Sequence, residues 1–136
     1  MRDVVIVDSV RTGLTKAFRG SFNLTRSDDM LAHCIDSLLD RNPNLSPEEV
    51  EDVVVGAATH AGEQDGNLAR LAVVLSKLPI TVAGVSINRF CSSGLQAIAI
   101  AANQIASGQT EVAIAGGVDS ISMRTRQEPG KAKQNQ

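Results

Sequence analysis

Cys91 stands where a β-type apolar run gives way to an alanine-rich one, in the stretch Ile87-Asn88-Arg89-Phe90-Cys91-Ser92-Ser93-Gly94-Leu95. A thiol at a strand-to-helix junction faces the free N–H groups that open the helix, and Arg89 lies two residues away. Both stabilise a thiolate, which is the form that attacks carbonyls; such settings lower a cysteine pKa from about 8.5 by one to several units. The chemistry suggested is acyl transfer through a thioester on Cys91. Spacing alone leaves a second reading open, that of a buried small hydrophobe, as many free cysteines are.

Few other side chains compete for a chemical role. Cys34 falls on the apolar stripe of an expected helix, which makes it core. His33 lies in the same helix and His60 in a loop, where surface or capping histidines are usual. Two cysteines form neither a disulfide framework nor a metal-ligand cluster, and they fit a reducing compartment, so the chain reads as cytoplasmic with no metal. Thirteen Lys and Arg against fifteen Asp and Glu give a formal charge of −2. That balance creates no field for nucleic acid or an anionic membrane. The absence of Trp and Tyr removes base-stacking platforms. No apolar run approaches the ~18 residues that span a bilayer, and the early first strand leaves no room for a leader.

At 136 residues the chain is one domain's worth, long enough to bury roughly two thirds of its unfolded surface. Val4-Val5-Ile6-Val7 is a continuous β-rich run and reads as a central parallel strand covered on both faces. Residues 11–27 mix Thr, Gly, Arg and Ser as a long loop. Residues 28–40 place Met30, Leu31, Cys34, Ile35, Leu38 and Leu39 at helical spacing, with Ser27 or Asp28 as N-cap. Ser46-Pro47-Glu48-Glu49 carries the signature of a short capped helix. A second strand over residues 53–56, a helix over 67–78 stopped by Pro79, and a third strand over 82–87 lead to Cys91.

The helix expected over residues 92–107 is apolar on most sides, and so should be buried on most sides. Gly108 suits its C-terminal cap, and Val112-Ala113-Ile114-Ala115 reads as a fourth strand. Gly116-Gly117 follows, where the backbone can approach something closely. The fold class is thus α/β, a mostly parallel sheet with helices on both faces, and ligands gather at the carboxyl ends of such strands. From residue 124 the composition turns polar, with Arg124, Arg126, Lys131 and Lys133 against Glu128, and is expected to be disordered.

Asn88-Arg89-Phe90-Cys91-Ser92-Ser93-Gly94-Leu95-Gln96-Ala97 closely resembles the nucleophilic-cysteine motif of the thiolases. Val5-Ile6-Val7-Asp8-Ser9-Val10-Arg11-Thr12 is similar to the family's first strand and the Arg-Thr after it. Gly66-Asn67-Leu68-Ala69-Arg70 resembles its Asn-x-Ala-Arg helix start, and Ala115-Gly116-Gly117-Val118-Asp119-Ser120 its Gly-Gly strand end, where the family usually has glutamate in place of Asp119. The resemblance covers most of residues 1–123 and implies an incomplete thiolase N-terminal half-domain, followed by an atypical tail over residues 124–136.

By that resemblance Cys91 is the acyl carrier of an acetyl-CoA C-acyltransferase. It takes an acyl group as a thioester while its own backbone N–H supplies half of an oxyanion hole. Acyl-CoA thioesters are then the substrates and no resident cofactor is required. The family's catalytic histidine, in a Gly-His-Pro context, and its second cysteine lie in the other half; neither His33 nor His60 has that context, and Cys34 lacks the glycine-rich neighbourhood. Two readings follow: a truncated 3-ketoacyl-CoA thiolase of fatty-acid or ketoacyl-CoA metabolism, completed by another chain or not at all, and a non-catalytic thiolase-like association module. Asn88-Arg89 weakens a third, a ketoacyl synthase relative. Residues 82–87 by resemblance pair across a dimer interface, so a homodimer or a complementary thiolase half is the expected partner.

Overall fold

The computed structural model of the chain describes residues 2–124. Three parallel strands form its sheet, β1 (Asp52–Gly56), β2 (Ala83–Ile87) and β3 (Ala113–Gly117), in the order β2-β1-β3. The strands run level, since Asp52 aligns with both Ala83 and Ala113, and Gly56 with Ile87 and Gly117. All three therefore end on one line, and the loops that follow them meet there.

Alternation along β1 divides the core. Val53 and Val55 face the helices α1 (Ser27–Arg41) and α2 (Leu68–Leu75), joining Leu31, Ile35, Leu39, Leu68, Ala69, Ala72 and Val73 in one cluster. Val54 faces the helix α3 (Ser93–Ser107), where it packs against Ala97 and Ala101. Helices on both faces of a parallel sheet are what the sequence pattern implies. A short helix α4 (Ile121–Arg124) follows β3.

Local signals account for most boundaries. Asn67 caps α2, its side chain accepting the Arg70 N–H at 3.1 Å. Ser46 and Glu49 form a reciprocal capping box around a single 3-10 turn, Pro47–Glu49. Gly108 ends α3 at φ 78°, the left-handed position that glycine fills without strain. The helix over 67–78 proves shorter than expected, because Ser76 leaves helical geometry ahead of Pro79.

Three expectations are corrected. Residues 4–7 are not a strand: the segment is exposed, Ile6 by 81%, and β1 takes the central position instead. The segment is tied at its ends, by Arg2 N–H donating to the Ala106 carbonyl at 3.1 Å and by Asp8 accepting from Arg41 and Asn42. Those ties satisfy its flanks without a ladder, and β propensity alone supplies no partner. The cap of α1 is not Ser27 or Asp28 but the position before them, Arg26; Ser27 lies inside the helix, with its N–H and Oγ both donating to Glu63 Oε1 at 3.0 Å. The third concerns α3. It buries one stripe rather than most of its circumference, leaving Leu95 72% exposed, because the sheet covers only the side that carries Ala97 and Ala101. The disorder expected from residue 124 onward falls, apart from the end of α4, outside the described residues.

Candidate active site

Cys91 occupies a tight turn between β2 and α3, at the carboxyl end of the sheet, and is exposed. The preceding residue, Phe90, has φ 50°, a left-handed conformation uncommon for a bulky side chain. Two sets of hydrogen bonds hold it there. Asn88 Oδ1 accepts the Phe90 N–H at 2.8 Å. From the other side, Ser93, which is buried, receives the Arg89 N–H on its Oγ at 2.8 Å and donates that hydroxyl to the Phe90 carbonyl at 2.6 Å. The Ser92 and Ser93 N–H groups close the turn onto the Arg89 and Phe90 carbonyls. The Cys91 N–H is not among the donors so engaged. The cost of the strained residue, about 1–3 kcal/mol, is what a surrounding hydrogen-bond frame can sustain.

Glycines let this turn sit close to the sheet. A Cβ on Gly56 would overlap the Ser93 carbonyl, and one on Gly117 would lie 2.9 Å from both the Gly56 oxygen and the Gly94 Cα. The first turn of α3 thus rests directly on the ends of β1 and β3. The close approach expected at Gly116-Gly117 is made by Gly117; Gly116 faces open space.

The loops after the three strands are stitched together beside the turn. Ala57 N–H donates to the Ile87 carbonyl and Val118 N–H to the Gly56 carbonyl, each at 3.1 Å. Asp119 accepts from Ala58 N–H at 3.0 Å, Thr59 N–H at 3.2 Å and Gln64 Nε2 at 3.3 Å. Gln64, 1% exposed, also donates to the Thr59 carbonyl and accepts the Ser120 N–H, each at 2.6 Å. The shorter acid at position 119 therefore still closes its local hydrogen bonds. Asn88 Nδ2 reaches the Ala58 carbonyl at 3.1 Å.

The remaining candidates sort by environment. His60, half-buried, directs Nε2 at the Ala57 carbonyl at 3.0 Å and the Ile87 carbonyl at 3.4 Å, so that nitrogen carries the proton and ties the loop to the sheet. His33 is exposed on α1. Cys34 is half-buried rather than fully buried, and burial pushes its thiol above the ordinary value, opposed in part by a hydrogen bond from the Thr12 backbone. Arg89, expected beside the thiol, turns its guanidinium to Gln96 Oε1 on α3. Sequence reasoning gave no role to Asn88, Ser93 or Gln64. Asn88 and Ser93 lie inside the motif, whereas Gln64 carried no signal, because its importance comes from burial and two distant partners.

A level parallel sheet with helices on both faces defines an α/β domain, and the turn beyond one strand presents an exposed cysteine at its carboxyl edge. The profile described as "Thiolase, N-terminal domain" matches residues 4–136, and the chain belongs to the thiolase family. It is 44% identical over 121 residues to the beta-ketoadipyl-CoA thiolase of Pseudomonas knackmussii, covering 89% of this chain and 30% of that protein. It is 43% identical over 122 residues to the 3-oxoadipyl-CoA/3-oxo-5,6-dehydrosuberyl-CoA thiolase of Escherichia coli, covering 90% and 30%. With the 3-ketoacyl-CoA thiolase of Pseudoalteromonas atlantica it shares 40% over 119 residues, covering 88% and 31%. The chain thus spans about 30% of the length of the curated relatives it matches. Among the described residues no helix is long and apolar enough to cross a membrane.

Proposed function

We propose that the chain carries the acyl-accepting half-site of a thiolase, an acetyl-CoA C-acyltransferase, with Cys91 as the nucleophile that forms an acyl-thioester from an acyl-CoA. The observation that carries this reading is the exposed Cys91 thiol on a hydrogen-bonded turn at the carboxyl edge of the sheet. The thiolate attacks the thioester carbonyl, the tetrahedral oxyanion is met by the free Cys91 N–H, and CoA leaves as its thiol. The groups that would activate the thiol and protonate the leaving CoA belong, by family resemblance, to the part of a thiolase beyond this chain. The substrates are CoA thioesters of fatty-acid or ketoacyl-CoA metabolism, no resident cofactor takes part, and the compartment is a reducing, cytoplasmic one.

The partner is a second copy of the chain or a complementary thiolase half, and the support lies at β2. That strand pairs only with β1 among the described residues, and Ala83 and Val85 on it are exposed, as are Ile80 and Phe90 beside it. An unpaired strand edge next to apolar surface is a template for association. Sedimentation at micromolar concentration should give a dimer; a soluble monomer that binds no hydrophobic dye contradicts this assignment.

Incubation with acetyl-CoA, followed by intact-mass measurement and peptide mapping, tests the nucleophile. One acetyl group on Cys91, released by hydroxylamine, is the expected product. It should accumulate slowly and stoichiometrically, without steady-state turnover, since each missing acid or base contributes typically ~10²–10⁴-fold. Acetylation elsewhere, or Cys91-independent turnover, contradicts the assignment. A folded chain that dimerises but never acetylates supports the non-catalytic association module.

A further inference from the structure

We propose that Asp119 is a positioning residue for Cys91, acting through Ala58 and Asn88; this rests on the reading of Cys91 as nucleophile. Asp119 and Cys91 belong to different strand-end loops, yet three hydrogen bonds, joined through Ala58 and Asn88, lead from Asp119 to Phe90, the residue before Cys91. The Asp119 carboxylate accepts the Ala58 N–H at 3.0 Å, and the carbonyl of the same Ala58 accepts Asn88 Nδ2 at 3.1 Å. Asn88 Oδ1 in turn accepts, at 2.8 Å, the N–H of Phe90, the left-handed residue that aims Cys91. Each group is used in the only sense its chemistry permits, with amide hydrogens donating and oxygens accepting.

Gln64 makes the anchor rigid. Its buried amide is satisfied at both ends, donating to Asp119 Oδ1 and the Thr59 carbonyl and accepting from Ser120 N–H. The carboxylate is therefore fixed relative to both the β1 and β3 loops before it holds Ala58. Ser93 supports the turn from within, bonding only residues of the same segment. Internal support keeps the turn's shape; the Asp119 series fixes where that turn stands over the sheet. An ionised acceptor suits this task, since charge-assisted hydrogen bonds are the stronger ones.

The test uses the 136-residue chain and measures the carbamidomethylation rate of Cys91 at a pH where the thiol is fully ionised, so that geometry is read rather than ionisation. Cys34 in the same sample reports general opening. Asp119→Ala should change the Cys91 rate by about fivefold, the factor one net hydrogen bond carries, with Cys34 unchanged. Asp119→Glu, which keeps the carboxylate, should restore the rate, and Asp119→Asn should fall between. Asn88→Ala should reproduce the effect of Asp119→Ala, and the double variant should add nothing to the larger single effect. An unaltered Cys91 rate, additive single effects, or parallel acceleration of Cys34 overturns the proposal; if Asp119→Ala does not fold, Asp119→Asn and Asn88→Ala decide the cycle. A wild-type Cys91 no faster than Cys34 defeats the nucleophile reading instead, whatever the cycle shows.

Discussion

The two faces of the sheet differ in how much they bury. Under α1 and α2 a continuous apolar cluster runs from Leu31 through Val53, Val55 and Leu68 to Val82, while under α3 the buried set is Val54, Ala97 and Ala101. Cys91 stands at the head of the thinner face. There, close approach through Gly56, Gly94 and Gly117 does what bulky side chains do on the other side. Stability is concentrated on one face, and the candidate chemistry is held on the other by backbone proximity and hydrogen bonds. Placing a strained turn away from the main core lets its geometry be set by polar partners without weakening the packing that sustains the fold.

The comparison can be broken most directly at the thick face. Leu68 is fully buried, so Leu68→Ala should destabilise the chain by about 2–5 kcal/mol, read from urea unfolding; a loss below about 1 kcal/mol would mean that the cluster collapses onto the cavity or is not the stabilising side. On the thin face the sensitive position is a glycine. Gly56→Ala puts a methyl group into the Ser93 carbonyl, and an overpacking cost of about 1–3 kcal/mol is expected together with an altered Cys91 alkylation rate. Unchanged stability would show that α3 is free to lift from β1.

Smaller effects sharpen the contrast. Asn67→Ala removes the cap of α2 and should cost about 1 kcal/mol in the same unfolding experiment. Leu95→Ala, on the outer side of α3, should stay within about 0.5 kcal/mol in the same unfolding experiment, and a larger loss would show that side to be covered. Cys34 offers a pH test. Its folded-state pKa is raised by burial, so the folded chain keeps that proton to higher pH than the unfolded one. The associated stability is present below the unfolded pKa and is lost as pH rises through the folded value. The midpoint of Cys34 alkylation should therefore lie at higher pH in the native chain than in urea; coincident midpoints would place the thiol in solvent.

Periodicity and caps made most of the fold legible. Leu31, Ile35 and Leu39 mark the buried stripe of α1, Asn67 and Gly108 mark helix ends, and the strand runs at 53–56 and 82–87 fall within a residue or so of β1 and β2. The segment at residues 4–7 shows the limit. Its composition is that of a buried strand, but pairing is a tertiary property that local sequence cannot supply. The same holds for α3, whose apolar circumference describes what could be buried rather than what the described residues cover. At the site, Cys91 was legible because a strand, a turn and a helix start coincide within a few residues. Gln64 and Asp119 were not legible as a unit, since they are distant in sequence and linked only by how level the strand ends lie.

Competition between the two thiols tests the central claim most directly. Limiting iodoacetamide is added to the native chain, the reaction is quenched early, and Cys91 and Cys34 peptides are quantified. Cys91, exposed on its turn, is expected to be modified first, with Cys34 following only as pH is raised or urea is added. Equal or faster modification of Cys34 under native conditions would contradict the assignment of Cys91 as the presented nucleophile.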